Sequence, residues 1–267
     1  RGCCHGCLYC DSRSACYQNP DFDTVKAKAD ALRILRDDLA RKVRPAFIAT
    51  GAMSDPYNPF EVSLQLTRHA LELIDAYQCG AAIATKSDLI VRDGDILDSI
   101  ARHSPVICKL TITTTDDALA ARLEPGAPSP SRRLAALREL ADRGLFAGVL
   151  LMPVLPFLED TEENVLEVVE RAAEAGASFV YPALGVTMRE GQREYFLQGL
   201  EDAFPGQGLR ARYLRRYGDR YWCASPRARR LWEVFSHRCG QLGMRYRMEQ
   251  IVSAATRDYG DRQLSFF

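Results

Sequence analysis

The chain is poor in the features that usually place a protein quickly. No apolar run approaches the roughly 18 residues that a membrane-spanning helix needs, so no membrane partner is expected. Neither sign of charge is in excess: Lys+Arg and Asp+Glu both total 35, and the overall balance points to neither a nucleic acid nor a membrane surface. The phosphate-cradling G-x-x-x-x-G-K-[ST] loop is absent, as are H-E-x-x-H and G-x-S-x-G, which removes the common signatures of phosphoryl transfer, zinc proteolysis and serine hydrolysis. There is no low-complexity segment and no short internal repeat. No signal-peptide pattern is in view and the cysteine count, 9, is odd, so a disulfide framework is not expected. The sequence opens on Arg1 rather than Met, and an upstream segment, including a strand leading into the first loop, is expected to precede it.

What the chain does have is a run of cysteines at its start. Cys3, Cys7 and Cys10 stand in Arg-Gly-Cys-Cys-His-Gly-Cys-Leu-Tyr-Cys with the spacing C-x3-C-x2-C. One short loop can then present three thiolates to a single small object. A closed structural metal site takes four protein ligands, whereas three leave a position open. Iron–sulfur clusters are held by close-spaced cysteines of this kind. The alternative is a zinc knuckle in which Cys4, His5 or Cys16 supplies the fourth ligand. Cys79, Cys108, Cys223 and Cys239 are scattered without pattern and read as small buried apolar side chains.

An apolar share of 47% and a charged share of 26% are those of an ordinary globular protein, and 267 residues fit one large domain or somewhat more. After the cysteine loop, short apolar runs alternate with segments of helical period. Strands are predicted at Ala46–Thr50, Ala81–Thr85, Val106–Thr114, Phe146–Met152 and Phe179–Pro182. Helices are predicted near Thr24–Lys42, Ser63–Tyr77, Asp93–His103, Ser129–Arg143 and Thr161–Ala175. Strand–helix repeats of this length imply right-handed βαβ units and a parallel sheet, with chemistry on the loops at the carboxyl ends of the strands. Those ends run into Gly51–Tyr57, Lys86-Ser87-Asp88, the threonines 111 and 113–115, and Pro153–Pro156, which together read as the rim of one site.

The cysteine spacing resembles the signature of the radical S-adenosylmethionine (SAM) enzymes. Within them the chain is similar to the spore photoproduct lyase-like family, through Thr50–Tyr57, Ala84–Ile90, Leu123–Ser129 with Arg133-Leu134, Met152–Pro156 and the Gln-Leu-Ser-Phe-Phe tail. The resemblance implies an α/β fold, a partial (β/α)6 TIM-type barrel over residues 1–187, followed by a mainly helical extension over 188–267. It also implies a [4Fe–4S] cluster on Cys3, Cys7 and Cys10 with SAM on the fourth iron, reductive cleavage of SAM to a 5′-deoxyadenosyl radical, and hydrogen abstraction from a substrate. Ser54, Asp55, Lys86, Thr111, Glu124 and Arg133 would surround SAM, with Lys86 on its carboxylate, and Tyr9 would relay a hydrogen atom. Ordinary alternatives stand beside these roles: a solvated turn lysine, turn or cap hydroxyls, a surface Glu124–Arg133 ion pair, and an aromatic packed over the cluster. The family's hydrogen-returning cysteine is replaced by Ala52, and its second tyrosine by Asp11, so repair of a thymine lesion is not expected. The electron would come from a flavodoxin- or ferredoxin-like protein or a chemical reductant, and an oxygen-sensitive cluster suits the reducing cytoplasm.

The last third changes character. Leu209–Arg220 and Ser225–Arg247 are rich in arginine, with Tyr213, Tyr217, Tyr221, Trp222, Trp232 and Tyr246 interleaved. Arginines with aromatics can hold a phosphate backbone and stack bases, so a nucleic acid is an expected partner. The alternative is an amphipathic helical cap with an arginine-coated outer face. Two rival functions remain open at this point: an iron–sulfur electron carrier that does not use SAM, and a nucleic-acid-binding module with a structural zinc.

Overall fold

A computed structural model describes residues 1–41 and 46–259. The carboxyl end of the first predicted helix and the Gln-Leu-Ser-Phe-Phe tail lie outside these residues. Among them, α1 (Ala31–Ala40), β1 (Phe47–Thr50), α2 (Glu61–Leu64), α3 (Leu66–Ala76), β2 (Gly80–Thr85), α4 (Gly94–Ala101) and β3 (Val106–Thr111) come first. They are followed by α5 (Asp117–Leu123), α6 (Pro130–Asp142), β4 (Phe146–Leu151), α7 (Glu162–Glu174) and β5 (Phe179–Pro182). The chain continues through β6 (Gly185–Thr187), α8 (Gln192–Ala203), α9 (Leu209–Tyr217), β7 (Trp222–Ala224), α10 (Ala228–Gln241) and α11 (Met248–Thr256).

The five strands β1 to β5 pair in sequence order, all parallel, giving five of the strands of a (β/α)6 arc. Both faces of this sheet are covered, which is why its strands read as nearly unbroken apolar runs. On the outer face, Ile83, Leu110, Val149 and Val180 pack against Leu71 of α3, Leu97 of α4, Leu137 of α6 and Val168 of α7. On the inner face, Ala82, Ile107 and Phe179 meet Ile251 and Ala255 of α11. Helix starts follow local chemistry. The Thr161 hydroxyl accepts from the Asn164 amide at 3.1 Å, and Ser129 precedes Pro130 at the first position of α6.

Three boundaries differ from the sequence reading. The first helix begins at Ala31, not Thr24, because residues 22–26 are held by the cysteine loop: the Cys3 amide donates to the Phe22 carbonyl and Lys26 to that of Arg1. The 63–77 segment is split at Gln65, whose φ is +50°, into α2 and α3. Strand β3 stops at Thr111 rather than Thr114, where the chain turns and the Thr114 hydroxyl accepts from the Asp116 amide at 3.1 Å.

The carboxyl-terminal elements form a second core with the cysteine loop. Leu8 and Tyr9 pack with Phe196 and Leu200 of α8 and Tyr213 of α9. Helix α10 lies on α7. Among the described residues no helix is long and apolar enough to cross a membrane.

The β1 loop approaches β2 too closely for any side chain at Gly51. Its φ is +94°, and a Cβ there would sit 1.9 Å from the Ala84 carbonyl oxygen. Gly51→Ala is expected to destabilise the protein by about 1–3 kcal/mol in urea denaturation. Gly240→Ala, in the open on α10, should be neutral or slightly stabilising. Equal effects at the two positions would contradict this packing.

Candidate functional site

The cysteine loop is pinned by its backbone before its side chains are considered. The Leu8 amide donates to the Leu123 carbonyl at 2.9 Å, and Gly126 donates to His5 at 2.8 Å. The loop lies so close to the 124–127 turn that a Cβ on Gly126 would sit 2.5 Å from the Cys4 carbonyl oxygen. Cys3 and Cys7 are buried and Cys10 partly so. All three open into one pocket of about 360 Å³ at the carboxyl ends of β1, β2 and β3, which Tyr9, Ser54, Asp55, Lys86 and Thr111 also line.

The donor set suits a cluster better than an ion. Among the described residues no three His, Cys, Asp or Glu side chains converge closely enough to hold a single metal ion. A multi-iron cluster is wider than one ion and is held by thiolates spread around a cavity. Of the fourth ligands named for a zinc knuckle, Cys16 lies away from the pocket, while His5 is on its wall and engaged with Asp55. Cys16 is exposed and accepts from Arg189 Nη1 at 3.4 Å, and His5 Nδ1 lies 3.5 Å from Asp55 Oδ2.

Beneath the pocket, Glu124 gathers three partners. It is buried, takes the Tyr9 hydroxyl on Oε1, pairs with the Arg133 guanidinium on Oε2, and lies 4.0 Å from Lys86 Nζ. Arg133, also buried, donates in addition to the carbonyls of Thr111 at 2.9 Å and Pro128 at 2.7 Å. Burial alone would raise the Glu124 carboxyl, but Arg133 and Lys86 outweigh it and hold it below its ordinary value. Burial, then the Glu124 charge, push the Tyr9 phenol well up, so it stays neutral and donates. Lys86 is drawn down by burial, yet Cys7 and Glu124 more than offset this and keep it an ammonium. Its Nζ stands 5.4 Å above the Tyr9 ring, a cation–π distance. Neither a solvated turn lysine nor a surface ion pair describes these residues.

Asp55 works as a clamp. Its carboxylate accepts from the Tyr57 amide at 2.9 Å, the Thr85 hydroxyl at 2.6 Å and the Lys86 amide at 2.7 Å, tying the β1 loop to the end of β2. Ser54 lines the pocket half-buried, and its hydroxyl makes no hydrogen bond among the described residues. Thr111 offers its side chain to the pocket and its carbonyl to Arg133. At the two positions of departure, Ala52 brings no thiol to the pocket, and Asp11 accepts from Tyr17 and Thr187 at 3.1 and 3.0 Å.

Glu159 was not singled out from the sequence, where Leu-Glu-Asp-Thr reads as a turn before a helix. It is fully buried, accepts from the Leu155 amide at 3.0 Å, and burial pushes its carboxyl up to about 8. No local pattern announces it, because its surroundings come from several separate segments.

The arginine-rich third divides. Tyr213 and Tyr217 face inward, their hydroxyls donating to the carbonyls of Pro156 and Ala224, which corrects the expectation that they stack bases. Trp232 packs edge-on to Tyr246 at 5.8 Å. On α10, Arg230 pairs with Glu162, Arg238 with Glu170 and Arg229 with Glu233. Arg212, Arg215 and Arg216 of α9 instead surround a hollow of about 430 Å³ beside Phe157.

Fold and pocket define a partial barrel with three cysteines at its open end, and comparison with known proteins agrees. The family model of the radical SAM superfamily matches residues 1–172, and the chain belongs to that superfamily. The fold is like that of spore photoproduct lyase complexed with a dinucleoside spore photoproduct, with a TM-score of 0.66 at 17% identity over 90% of this chain and 72% of that one. An uncharacterised protein of Mycobacterium tuberculosis is 33% identical over 225 residues, 82% of this chain. One of Methanocaldococcus jannaschii is 32% identical over 164 residues, 60% of each chain. The chain spans 66% of the length of the mycobacterial relative. The family to which it belongs uses an iron–sulfur cluster and SAM, and the donor set here fits both.

The raised carboxyl of Glu159 makes a testable mark on stability. Its folded value of about 8 lies above its unfolded one, so the stabilisation present at low pH is lost as pH rises towards 8. Melting temperatures of the native protein should therefore fall between about pH 5 and 8 relative to Glu159→Gln, which keeps an acceptor for Leu155 but does not ionise. A constant offset between the two proteins across that range would contradict the assignment.

Proposed function

We propose that the protein is an enzyme that cleaves SAM reductively at a [4Fe–4S] cluster and uses the resulting radical to take a hydrogen atom from its substrate. The observation that carries this reading is the convergence of Cys3, Cys7, Cys10, Ser54, Lys86 and Thr111 on one pocket at the carboxyl ends of parallel strands. When bound, the cluster and SAM together supply the one-electron cleavage that yields a 5′-deoxyadenosyl radical.

The chain's own part is placement. Cys3, Cys7 and Cys10 would hold the cluster, leaving one iron without a protein ligand. The Lys86 ammonium offers a point charge for the SAM carboxylate, and the hydroxyls of Ser54 and Thr111 line its path. Glu124, Arg133 and Asp55 act as positioning residues: Glu124 holds Lys86 and Tyr9, Arg133 neutralises Glu124, and Asp55 fixes the Lys86 backbone. For Tyr9 we assign hydrogen-atom relay, with Glu124 fixing its hydroxyl beside the pocket. The electron would arrive from a flavodoxin- or ferredoxin-like protein or a chemical reductant. A reducing cytoplasm suits a chain in which cysteines 3, 4, 7, 10, 16, 79, 108, 223 and 239 are all free thiols.

A nucleic acid contact along α9 is a second reading, supported by Arg212, Arg215 and Arg216, which have no carboxylate partner among the described residues. Binding of single-stranded DNA that weakens steeply with salt would support it. Salt-independent or absent binding would leave a solvated face.

Anaerobic reconstitution tests the main reading. About four irons per chain and 5′-deoxyadenosine on addition of SAM and dithionite are expected, with both lost in Cys7→Ala. Lys86→Ala should keep the cluster and weaken SAM binding by roughly tenfold or more. A cluster without SAM cleavage in the native protein would favour an electron carrier, and zinc in place of iron would overturn both.

A further inference from the structure

The inside of the barrel holds a second cavity, distinct from the pocket at its mouth. It has a volume of about 370 Å³ and apolar walls that include Phe47, Ala82, Ile107 and Phe179, and it is bordered by Ile251 and the exposed Met248 of α11. In register beside Lys109 on β3 stand Ala84 of β2, which lines the upper pocket, and Gly148 of β4, over which the Phe179 ring packs: a Cβ at Gly148 would sit 2.6 Å from that ring.

Lys109 is out of place on such a wall. Its neighbours on the same face of β3, Ile107 and Thr111, point into this cavity and into the cofactor pocket respectively. Lys109 itself lines the apolar cavity and has no carboxylate or hydrogen-bond partner among the described residues. Lys109 is half-buried, and taking an ammonium even partly out of water without a counter-charge is unfavourable; burial here draws its pKa down. Ile or Val would pack this position at no such cost. A charge kept where packing would prefer none calls for an anion that arrives from outside.

The anion's class follows from the number of charges. A lone ammonium is a compact donor that neutralises one negative charge, which fits a carboxylate. A phosphate monoester carries nearly two and would leave one uncompensated in an apolar chamber. Two other polar residues line this space: Thr256, whose hydroxyl is committed to the Val252 carbonyl at 2.9 Å, and Tyr181, whose hydroxyl can donate to a second carboxylate oxygen. Leu150 lines both this cavity and the cofactor pocket, so the two share a wall.

We infer that the barrel interior binds an organic monocarboxylate, its carboxylate on Lys109 and its apolar body directed towards α11. The carbons next to the carboxylate then lie at the end of the chamber nearest Thr111 and the cofactor pocket, where a hydrogen atom would be taken. That last role rests on the SAM-cleaving reading above; binding itself does not, and the two fail separately.

The test measures binding, not turnover. The full chain with its cluster reconstituted is titrated anaerobically by calorimetry with octanoate and with octan-1-ol, which share an apolar body and differ in charge. One octanoate per chain is expected, bound roughly tenfold more tightly than the alcohol. Lys109→Met and, as a polar uncharged alternative, Lys109→Gln should erase that preference without changing SAM affinity. Ala82→Leu, which fills the chamber, should weaken both ligands. Octanoate bound no better than octanol, or a preference that survives both Lys109 substitutions, overturns the inference. A loss of SAM affinity in Lys109→Met would assign the lysine to the cofactor pocket and overturn it equally. Octanoate binding in a protein that does not cleave SAM would leave the chamber standing and remove the proposed reaction.

Discussion

A carboxylate taken fully out of water is stable only if its charge is matched and its oxygens are engaged, and Glu124 satisfies both conditions through residues from three other segments. Tyr9 belongs to the cysteine loop, Lys86 to the end of β2, and Arg133 to α6. Removing the carboxylate would leave Arg133 as an unpaired buried cation, the expensive way to break such a group. The geometry of the pocket therefore depends on one charge cluster: two cations gathered on one anion beneath three cysteines. The position of Lys86 is fixed twice, its side chain by Glu124 and its amide by Asp55. Such double fixing holds a functional cation within the narrow tolerance that positioning requires.

The same arrangement explains why the carboxyl-terminal elements matter to a site they scarcely line. Leu8 and Tyr9 are buried against α8 and α9, and Gln192 of α8 donates to the Tyr9 carbonyl at 3.4 Å. The loop that carries the cysteines is thus the seam between the barrel and the second core. Arg189 and Thr187, which follow β5, reach back to Asp11 at 3.3 and 3.0 Å and brace the far side of the loop. In this chain Asp11 is a structural anchor, which gives its departure from the family pattern a physical use.

How much of this was legible beforehand follows from the range of each interaction. Strands β2, β4 and β5 were readable to within a residue, because a sheet covered on both faces imposes a local apolar run. The cysteines stood out because their spacing alone marks a loop that gathers three thiols, and all three reach one pocket. Residues 24–30 were misread as helix because their backbone partners are Arg1 and Asp21, contacts that no periodicity reports. Glu159 and Lys109 were passed over for a related reason. A charged residue beside apolar ones looks like an ordinary edge of a strand or helix until the fold shows that no opposite charge pairs with it among the described residues. The arginine-rich third misled in the opposite direction: its tyrosines alternate with arginines in sequence, but the helical period of α9 turns Tyr213 and Tyr217 to the core and the arginines out.

The two cavities place different demands on the chain. The mouth of the barrel is polar, crossed by hydrogen bonds and built around charged groups that contact one another, Lys86 and Arg133 about Glu124. The interior is largely apolar and holds one charge, Lys109, without a carboxylate partner among the described residues. A site whose charged groups hold one another can be rigid before its ligand arrives, which suits a cofactor that must be held in one orientation. A site with an unmatched charge is better stabilised full than empty, which suits a molecule whose arrival should close off water before a reactive species forms. Both share Leu150 as a wall, so filling the lower chamber removes water from directly beneath the upper one. Under the function proposed above, that coupling is a physical reason for the order of events: the molecule that gives up hydrogen would be in place before the cofactor is opened.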